Sequence, residues 1–371
     1  MLRVGIDMSV ESAPYRGIPR VSAELIAALT RARPEWQIIP IYPRSVRRPL
    51  ALTGASYVRQ VVYRYSLWPQ ISLVARCKLE AIDVIICPNY AFPILLSRRC
   101  VVIIHDLGHR RRSPATAGNL GSLMYRSLIE LYVRAACHIA GAIIVPSFFV
   151  AREVRLATGR VAPVVPWAPA PSLLSPATGP SARTSHGDES NPYVLCVGAS
   201  PRKRVGVLVE AVRIVRNRKI NVSLVLVGAG SHAFQDSSFL RALGSVPDTR
   251  LSALYRNALA VCIAGVDEGF GLPALESMAL GSPVIAAKAG ALPEVVGDGG
   301  VLVEPDDAVA WADAIALLAS DPHARDRQVQ RGYEHAARFS WDRSGKDLAL
   351  IIEKVARDRM SLVTTSAARA G

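Results

Sequence analysis

The sequence predicts an α/β fold made of two doubly wound domains, each built on a mostly parallel sheet. Three observations predict it. The 371 residues are too many for one comfortable core and suit two domains. Short β-branched runs alternate with helical stretches in both halves of the chain, as parallel sheets require. A segment rich in Pro, Ser, Thr and Gly lies between the two series, from about Pro166 to Pro192, and has the composition of a linker.

Ten apolar runs are predicted as strands, and they define the domains. The runs span residues 3–8, 37–42, 84–88, 101–105 and 142–146, and then 193–198, 223–228, 260–264, 283–287 and 300–303. We expect one domain over 1–167, a linker over 168–191 and a second domain over 192–340. A helix is predicted over 341–358, followed by a mobile tail over 359–371. Because ligands of open α/β sheets bind at the carboxyl ends of the strands, function is expected in the residues just after them.

Composition excludes several other classes of protein. Half of the residues are hydrophobic, which excludes a disordered chain. The first apolar run contains Arg3 and Asp7 and is typical of a strand rather than a signal peptide. No stretch of 18 or more residues stays apolar, so no transmembrane helix is predicted. The six cysteines form no CxxC pair, which favours buried free thiols and a cytoplasmic location.

The net charge of +14 is concentrated in the first half of the chain. Residues 1–165 hold 22 Lys and Arg against 9 Asp and Glu, whereas the remainder holds 22 against 21. A basic half favours an anionic partner, such as a membrane leaflet, an anionic lipid-linked acceptor or nucleic acid. Compositional bias is the alternative, since 38 of the 44 basic residues are Arg. That bias explains why the basic residues are mostly Arg, but not why the excess positive charge lies in the first half of the chain.

One segment, residues 267–286, carries the most specific pattern. A predicted strand is followed by a loop with Gly269 and Gly271, a helix opened by Pro273, and another strand. Free backbone N–H groups at such a helix N-terminus suit a phosphate. Glu268 stands before the loop, and Glu276 is expected in the first helical turn, so that one carboxylate faces the loop while the other reaches hydroxyls beside the phosphates.

This segment resembles the E-x7-E region of glycosyltransferase family 4, and residues 290–306 match that family too. The resemblance implies a GT-B architecture of two Rossmann-like domains facing a central cleft, with the acceptor bound by the first domain and the final helix returning to it. It implies that Glu268 contacts the hydroxyls of the donor sugar and Glu276 the ribose. The residues expected near the sugar and diphosphate are Gly269, Phe270, Gly271 and Leu272.

A basic cluster follows the first strand of the second series. Arg202 and Lys203 stand at that strand's carboxyl end, where they would stabilise the negative charge of a leaving diphosphate. The stretch resembles the Pro-Arg-Lys-Asn element of the same family, with Arg204 in place of Asn. A solvated basic turn is the alternative.

Weaker matches lie elsewhere. The resemblance places His105 and Asp106, at the end of a predicted strand, near the donor sugar; taken alone, His105 is equally a packed or capping histidine. Gly17 and Arg20 resemble a glycine-rich loop under the donor phosphates, although Pro19 replaces its second glycine. Val246 would lie by the base.

The resemblance implies retaining transfer of a hexose, and the transfer is expected to be metal-independent because the chain contains no Asp-x-Asp to hold a metal. No cofactor is expected beyond the nucleotide-sugar donor. Mannose from GDP-mannose is favoured; rhamnosyl, galactosyl and glucosyl transfer are the alternatives. The expected acceptor is a lipid-linked saccharide or a polysaccharide, as in surface-polysaccharide assembly.

Residues 59–76 mix arginines with apolar side chains and would suit the inner face of the cell membrane. A nucleotide-sugar epimerase and a non-catalytic scaffold are the rival functions; no nucleic-acid module is recognised.

Overall fold

The computed structural model describes residues 1–9, 17–43, 58–60, 67–110, 120–174, 192–228 and 230–370. The chain divides into two compact units, one of Met1–Pro166 with Trp341–Gly371 and the other of Trp167–Ser340. In the described residues, each unit contains one six-stranded sheet in which every neighbouring pair of strands is parallel. The predicted α/β fold with two Rossmann-like domains is confirmed.

The strands of the first unit are ordered β3-β2-β1-β4-β5-β6, and those of the second β12-β11-β10-β7-β8-β9. Their bounds are β1 Arg3–Asp7, β2 Gln37–Pro43, β3 Val58–Gln60, β4 Val84–Cys87, β5 Cys100–Ile103, β6 Ala142–Ile144, β7 Tyr193–Val197, β8 Ser223–Val227, β9 Leu240–Ala242, β10 Ala260–Ile263, β11 Val284–Ala287 and β12 Val301–Val303. The sequence missed β3 and β9, because each is a three-residue edge strand that contains an arginine.

The described residues form helices in both units, between the strands and after the last strand of each series. Their bounds are α1 Gly17–Ala32, α2 Leu67–Leu79, α3 Leu120–Ile139, α4 Phe148–Thr158, α5 Pro171–Leu174, α6 Val205–Asn217, α7 Asp248–Asn257, α8 Leu272–Ala279, α9 Leu292–Val296, α10 Ala308–Ser320, α11 Pro322–Ala336 and α12 Trp341–Ala370. None of these helices is long and apolar enough to cross a membrane. All six cysteines are buried and free, as predicted.

The last helix, α12, packs against α1 in the first unit. Gly345 makes this close approach possible, because a Cβ atom there would lie 2.7 Å from the carbonyl oxygen of Ala28. The guanidinium of Arg33 also donates to Glu353 at 2.8 Å. The helix continues to Ala370, so its predicted end at Asp358 is wrong, and residues 359–370 are helical rather than a separate tail. No Gly or Pro interrupts that stretch, and its Ala, Met, Leu and Arg residues are good helix formers.

The predicted linker is partly structured. Its residues 168–174 belong to the second unit, where the hydroxyl of Ser252 on α7 donates to the carbonyl of Leu173 on α5 at 2.7 Å. Residues 175–191 lie outside the described residues. The short helix α5 is therefore part of the second domain.

Candidate functional site

An ion pair joins two of the predicted residues at the carboxyl ends of neighbouring strands. Lys203 lies in the 3₁₀ turn Pro201–Lys203 after β7, and Glu268 lies in the loop after β10, which pairs with β7. The Nζ atom of Lys203 is 2.6 Å from Oε1 of Glu268, and the two side chains are only 23% and 16% exposed. The site thus places one cation and one carboxylate where ligands of such sheets bind.

Two opposing effects act on the pKa of the Lys203 ammonium. Burial lowers it, but the negative charge of Glu268 and the hydrogen bond to that carboxylate outweigh burial and raise the pKa above its usual value. Lys203 is therefore cationic at neutral pH. A fixed, partly desolvated cation interacts with a phosphate more strongly than a solvated one does.

The neighbouring basic residues of this turn differ in their surroundings. Arg202 is exposed to solvent. Arg204, which stands where the family has Asn, adopts a left-handed conformation with φ of 51° and pairs with Asp306. Asn tolerates this conformation better than Arg does, so the substitution keeps the backbone turn at some cost in strain.

The glycine loop leads into α8 as expected. Gly271 has φ of 97°, a left-handed value that favours glycine, and it precedes the first helical residue, Leu272. Pro273 follows in the first turn. The backbone N–H of Leu272, the first residue of α8, is the phosphate-binding candidate, because Pro273 has no N–H and the N–H of Ala274 donates to the carbonyl of Gly271 at 2.9 Å. Glu276 lies in the second turn of α8 rather than the first, because the helix begins before Pro273.

The side chain of Phe270 belongs to the core of the second unit. It is 6% exposed, and its ring meets the rings of Trp167 and Phe339 edge to face at centroid distances of 6.5 and 6.0 Å. Only the backbone of Phe270 is thus a candidate for contact with a ligand. With Gly269, it connects Glu268 to α8.

The second predicted carboxylate, Glu276, is buried. It is 3% exposed, and its Oε2 atom accepts a hydrogen bond of 2.7 Å from the hydroxyl of Tyr255 on α7. Val246, the predicted base contact, is also buried and precedes α7 in the chain. No sequence pattern points to Tyr255, because its contact with Glu276 depends on how α7 packs beside α8.

In the first unit, His105 follows β5 and keeps partial exposure to solvent. Its Nε2 atom lies 2.9 Å from the carbonyl oxygen of Pro88, which assigns the ring proton of the neutral form to Nε2. Burial lowers the pKa of His105, although the Pro88 hydrogen bond and the charge of Asp106 oppose that shift. The carboxylate of Asp106 accepts a 2.8 Å hydrogen bond from the backbone of Gly108.

The other first-unit candidates lie around α1 and at two further strand ends. Gly17 is the first residue of α1 and is exposed, and Arg20 lies one turn further on. Residues 10–16, the rest of the predicted phosphate loop, lie outside the described residues. Sequence reasoning missed two buried polar residues, Asp7 at the end of β1 and Asn89 after β4. Burial raises the pKa of Asp7, although hydrogen bonds from Ser9 oppose that effect.

No cluster of three His, Cys, Asp or Glu able to hold a metal is found in the part of the chain that the structure describes.

Comparison with known proteins identifies the second domain. Residues 191–321, which contain β7 to α10, match the family described as "Glycosyl transferases group 1". This segment is a group 1 glycosyltransferase domain. It includes Lys203, Glu268 and Glu276.

Two curated relatives match part of the chain. The chain resembles the D-inositol 3-phosphate glycosyltransferase of Corynebacterium kroppenstedtii, with 40% identity over 120 residues, 32% of this chain and 27% of the relative. It also resembles the O-antigen chain mannosyltransferase B of Escherichia coli, with 33% identity over 164 residues, 40% of this chain and 42% of the relative. The matches thus span less than half of each relative's length.

A solved structure extends the likeness to nearly the whole chain. HepE from Anabaena, crystallised in complex with UDP and glucose, aligns with a TM-score of 0.68 over 95% of this chain and 99% of its own, at 19% identity. At that identity the alignment shows the fold, which is the GT-B fold of two Rossmann-like domains.

Proposed function

We propose that the chain is a retaining, metal-independent glycosyltransferase that moves a hexose from a nucleotide-sugar donor to an acceptor hydroxyl. The observation that carries the proposal is the ion pair of Lys203 with Glu268, at the carboxyl ends of β7 and β10. The pair lies in the group 1 glycosyltransferase domain, and both curated relatives are named as glycosyltransferases. An epimerase or a scaffold has no such support from the relatives.

The cations act on the leaving group. When the bond between the anomeric carbon and the phosphate oxygen breaks, the diphosphate gains negative charge. Lys203, with Arg202 beside it and the N-terminus of α8, supplies positive charge that is already in place before the reaction. Lys203 needs no metal to complete this role.

Glu268 acts on the sugar. Its carboxylate accepts hydrogen bonds from sugar hydroxyls and stabilises the positive charge that develops on the ring. The acceptor oxygen attacks the anomeric carbon from the face that the diphosphate leaves, and its proton passes to the departing phosphate oxygen. One C–O bond forms and one breaks, and the configuration of the sugar is kept. His105 and Asp106 are proposed to contact the transferred sugar, and Gly17 and Arg20 to lie near the donor phosphates.

For the donor, GDP-mannose is the first choice. The relationship to an O-antigen mannosyltransferase supports mannose. The complex of HepE with UDP and glucose favours testing UDP-glucose beside it. Rhamnosyl and galactosyl donors complete the set.

The acceptor is proposed to be a lipid-linked saccharide or a polysaccharide, reached at the inner face of the membrane through the basic first half. Of the stretch 59–76, Leu73 and Val74 pack into the core of the first unit, while the side chains of 61–72 lie outside the described residues. Lys78 and Leu79, at the end of α2, are exposed. If vesicles with anionic lipid do not sediment the protein at low salt, the membrane part of the proposal is wrong.

The proposal is tested by donor turnover. Slow hydrolysis of GDP-mannose and UDP-glucose by the purified protein, followed by proton NMR, reports both nucleotide release and the anomer of the free sugar. We expect one donor to be hydrolysed with retention, equally with and without EDTA, and Glu268→Ala to abolish the reaction while the protein stays folded. An inverted first product would contradict the retaining mechanism, and turnover unchanged in Glu268→Ala would contradict the site.

A further inference from the structure

Tyr255 is buried against the carboxylate that is proposed to bind ribose. Its side chain is fully buried on α7, and its hydroxyl donates to Oε2 of Glu276 at 2.7 Å. The two residues are 21 positions apart and lie on different helices. Nothing in the proposed chemistry uses the phenol itself, so its contact with Glu276 needs a separate explanation.

The position of Tyr255 is fixed by the surrounding strands rather than by Glu276. Its backbone carbonyl accepts a hydrogen bond from the hydroxyl of Ser282, just before β11. The preceding residue, Leu254, accepts a hydrogen bond of 2.8 Å from the hydroxyl of Tyr193 at the start of β7. The last turn of α7 is therefore held to two strands of the sheet, and the phenol is presented to α8 at a set position.

A carboxylate buried to this degree has few orientations. Glu276 is 3% exposed, and burying its charge without hydrogen-bond donors would be costly. An ionised carboxylate has about four acceptor sites, so a bond from a phenol does not use its whole capacity. The bond to Tyr255 fixes the rotamer of Glu276 and hence the direction in which the rest of that capacity points.

We propose that Tyr255 is a positioning residue that orients Glu276 towards the 2′- and 3′-hydroxyls of the donor's ribose. The inference rests on the proposed function, since it takes Glu276 as the ribose contact. The inference adds that this orientation makes the site prefer ribonucleotides over nucleotides that lack the ribose hydroxyls. Without the phenol hydroxyl, Glu276 loses its fixed orientation, and the preference for ribose falls.

The test compares nucleotides that differ only in the ribose hydroxyls. Isothermal titration would measure binding of GDP, UDP and their 2′,3′-dideoxy analogues to the wild type, Tyr255→Phe and Glu276→Ala. The matched control is Tyr42→Phe, since Tyr42 is also buried but lies on β2 of the first unit. Both Phe variants keep the ring and lose one buried hydroxyl, so that the two report on the same loss of packing and stability.

We expect Tyr255→Phe to weaken binding of the ribonucleotide by about tenfold, the effect of one buried hydrogen bond to a charged group. Its binding of the dideoxy analogue should match the wild type, and Tyr42→Phe should bind both nucleotides normally. The inference is overturned if Tyr255→Phe binds the ribonucleotide normally or weakens both nucleotides equally. If that happens while Glu276→Ala still abolishes the ribose preference, the proposed function stands and only the role of Tyr255 is lost. If the wild type binds neither diphosphate, both are lost.

Discussion

The Nζ atom of Lys203 lies 2.6 Å from Oε1 of Glu268, although the two residues are 65 positions apart in the sequence. The contact forms because β7 and β10 are neighbours in the second sheet, so that the loops after them meet at one edge. Each residue stabilises the charge and the position of the other. Glu268 keeps Lys203 charged and in place, and Lys203 satisfies a carboxylate that is largely buried. In the proposed reaction the donor enters between two groups that are already oriented.

Replacing Lys203 should therefore affect the reaction far more than it affects folding. We expect Lys203→Gln to reduce donor turnover by about 10²–10³, the usual effect of removing one group that stabilises developing charge. The control is Arg218→Gln, which removes an equally short ion pair, 2.6 Å to Asp313, at the opposite end of α6. That variant should keep wild-type turnover. Equal turnover in the two variants would show that Lys203 does not act on the leaving group.

The pair should also contribute to the stability of the second domain in a pH-dependent way. Because the folded-state pKa of Lys203 is raised, the contribution is complete below pH 10.5 and is lost as pH rises through the folded value. Urea unfolding of the wild type and of Glu268→Gln should show a constant difference in unfolding free energy from neutral pH to about pH 10. The difference should shrink above that. A difference that grows at alkaline pH would contradict the raised pKa.

His105 should be a neutral imidazole at physiological pH. Burial lowers its pKa below the usual 6.5, so the unfolded chain takes up a proton before the folded chain does. The stability that His105 contributes is therefore present above pH 6.5 and decreases as pH falls towards the folded pKa. NMR titration of the imidazole signals, with His105→Gln to assign them, should show one midpoint below 6.5 that is missing from the variant. A midpoint above 6.5 would mean that Asp106 and Pro88 outweigh burial.

Gly271 should be sensitive to the addition of a single methyl group. Its φ of 97° disfavours any other residue, and a Cβ atom there would lie 2.7 Å from Cδ2 of Leu292. We expect Gly271→Ala to reduce the unfolding free energy of the second domain by about 1–3 kcal/mol. Gly206→Ala, in α6 where a Cβ atom meets nothing within 4 Å, should instead stabilise by about 0.5–1 kcal/mol. Calorimetry would measure the unfolding free energy of both variants. Equal changes in the two would show that the turn before α8 is not strained.

Local pattern was sufficient to predict most of the fold. The ten predicted strands are three to seven residues long, and their apolar runs stand out from the helices between them. The edge strands β3 and β9 have three residues each and carry Arg59 and Arg241, which hides them from any periodicity. The end of α12 is not predictable from composition, because the polar residues 359–370 resemble a tail although no Gly or Pro occurs between Asp358 and Gly371.

The candidate site was predictable where chemistry follows a strand directly, as at Lys203, Glu268 and His105. It was not predictable where a residue acts through packing. In the sequence, Tyr255 is one aromatic residue of a helix, and its role depends on the contact with Glu276 on α8. Phe270 follows a predicted strand in a glycine loop, and only the structure shows that its ring packs against Trp167. Asp7 ends an apolar strand, and its burial depends on neighbours that the strand itself does not specify.

The most direct test of the account is binding of nucleoside diphosphates by the glycosyltransferase domain of the intact chain. Thermal unfolding would be measured with GDP, UDP, dTDP and ADP, for the wild type and for Glu276→Ala. One nucleotide at about 100 times its dissociation constant should stabilise the wild type by about 2.7 kcal/mol, and Glu276→Ala should lose that response. If no nucleotide stabilises the wild type, or if the variant responds as fully as the wild type, the site is not the donor site that we propose.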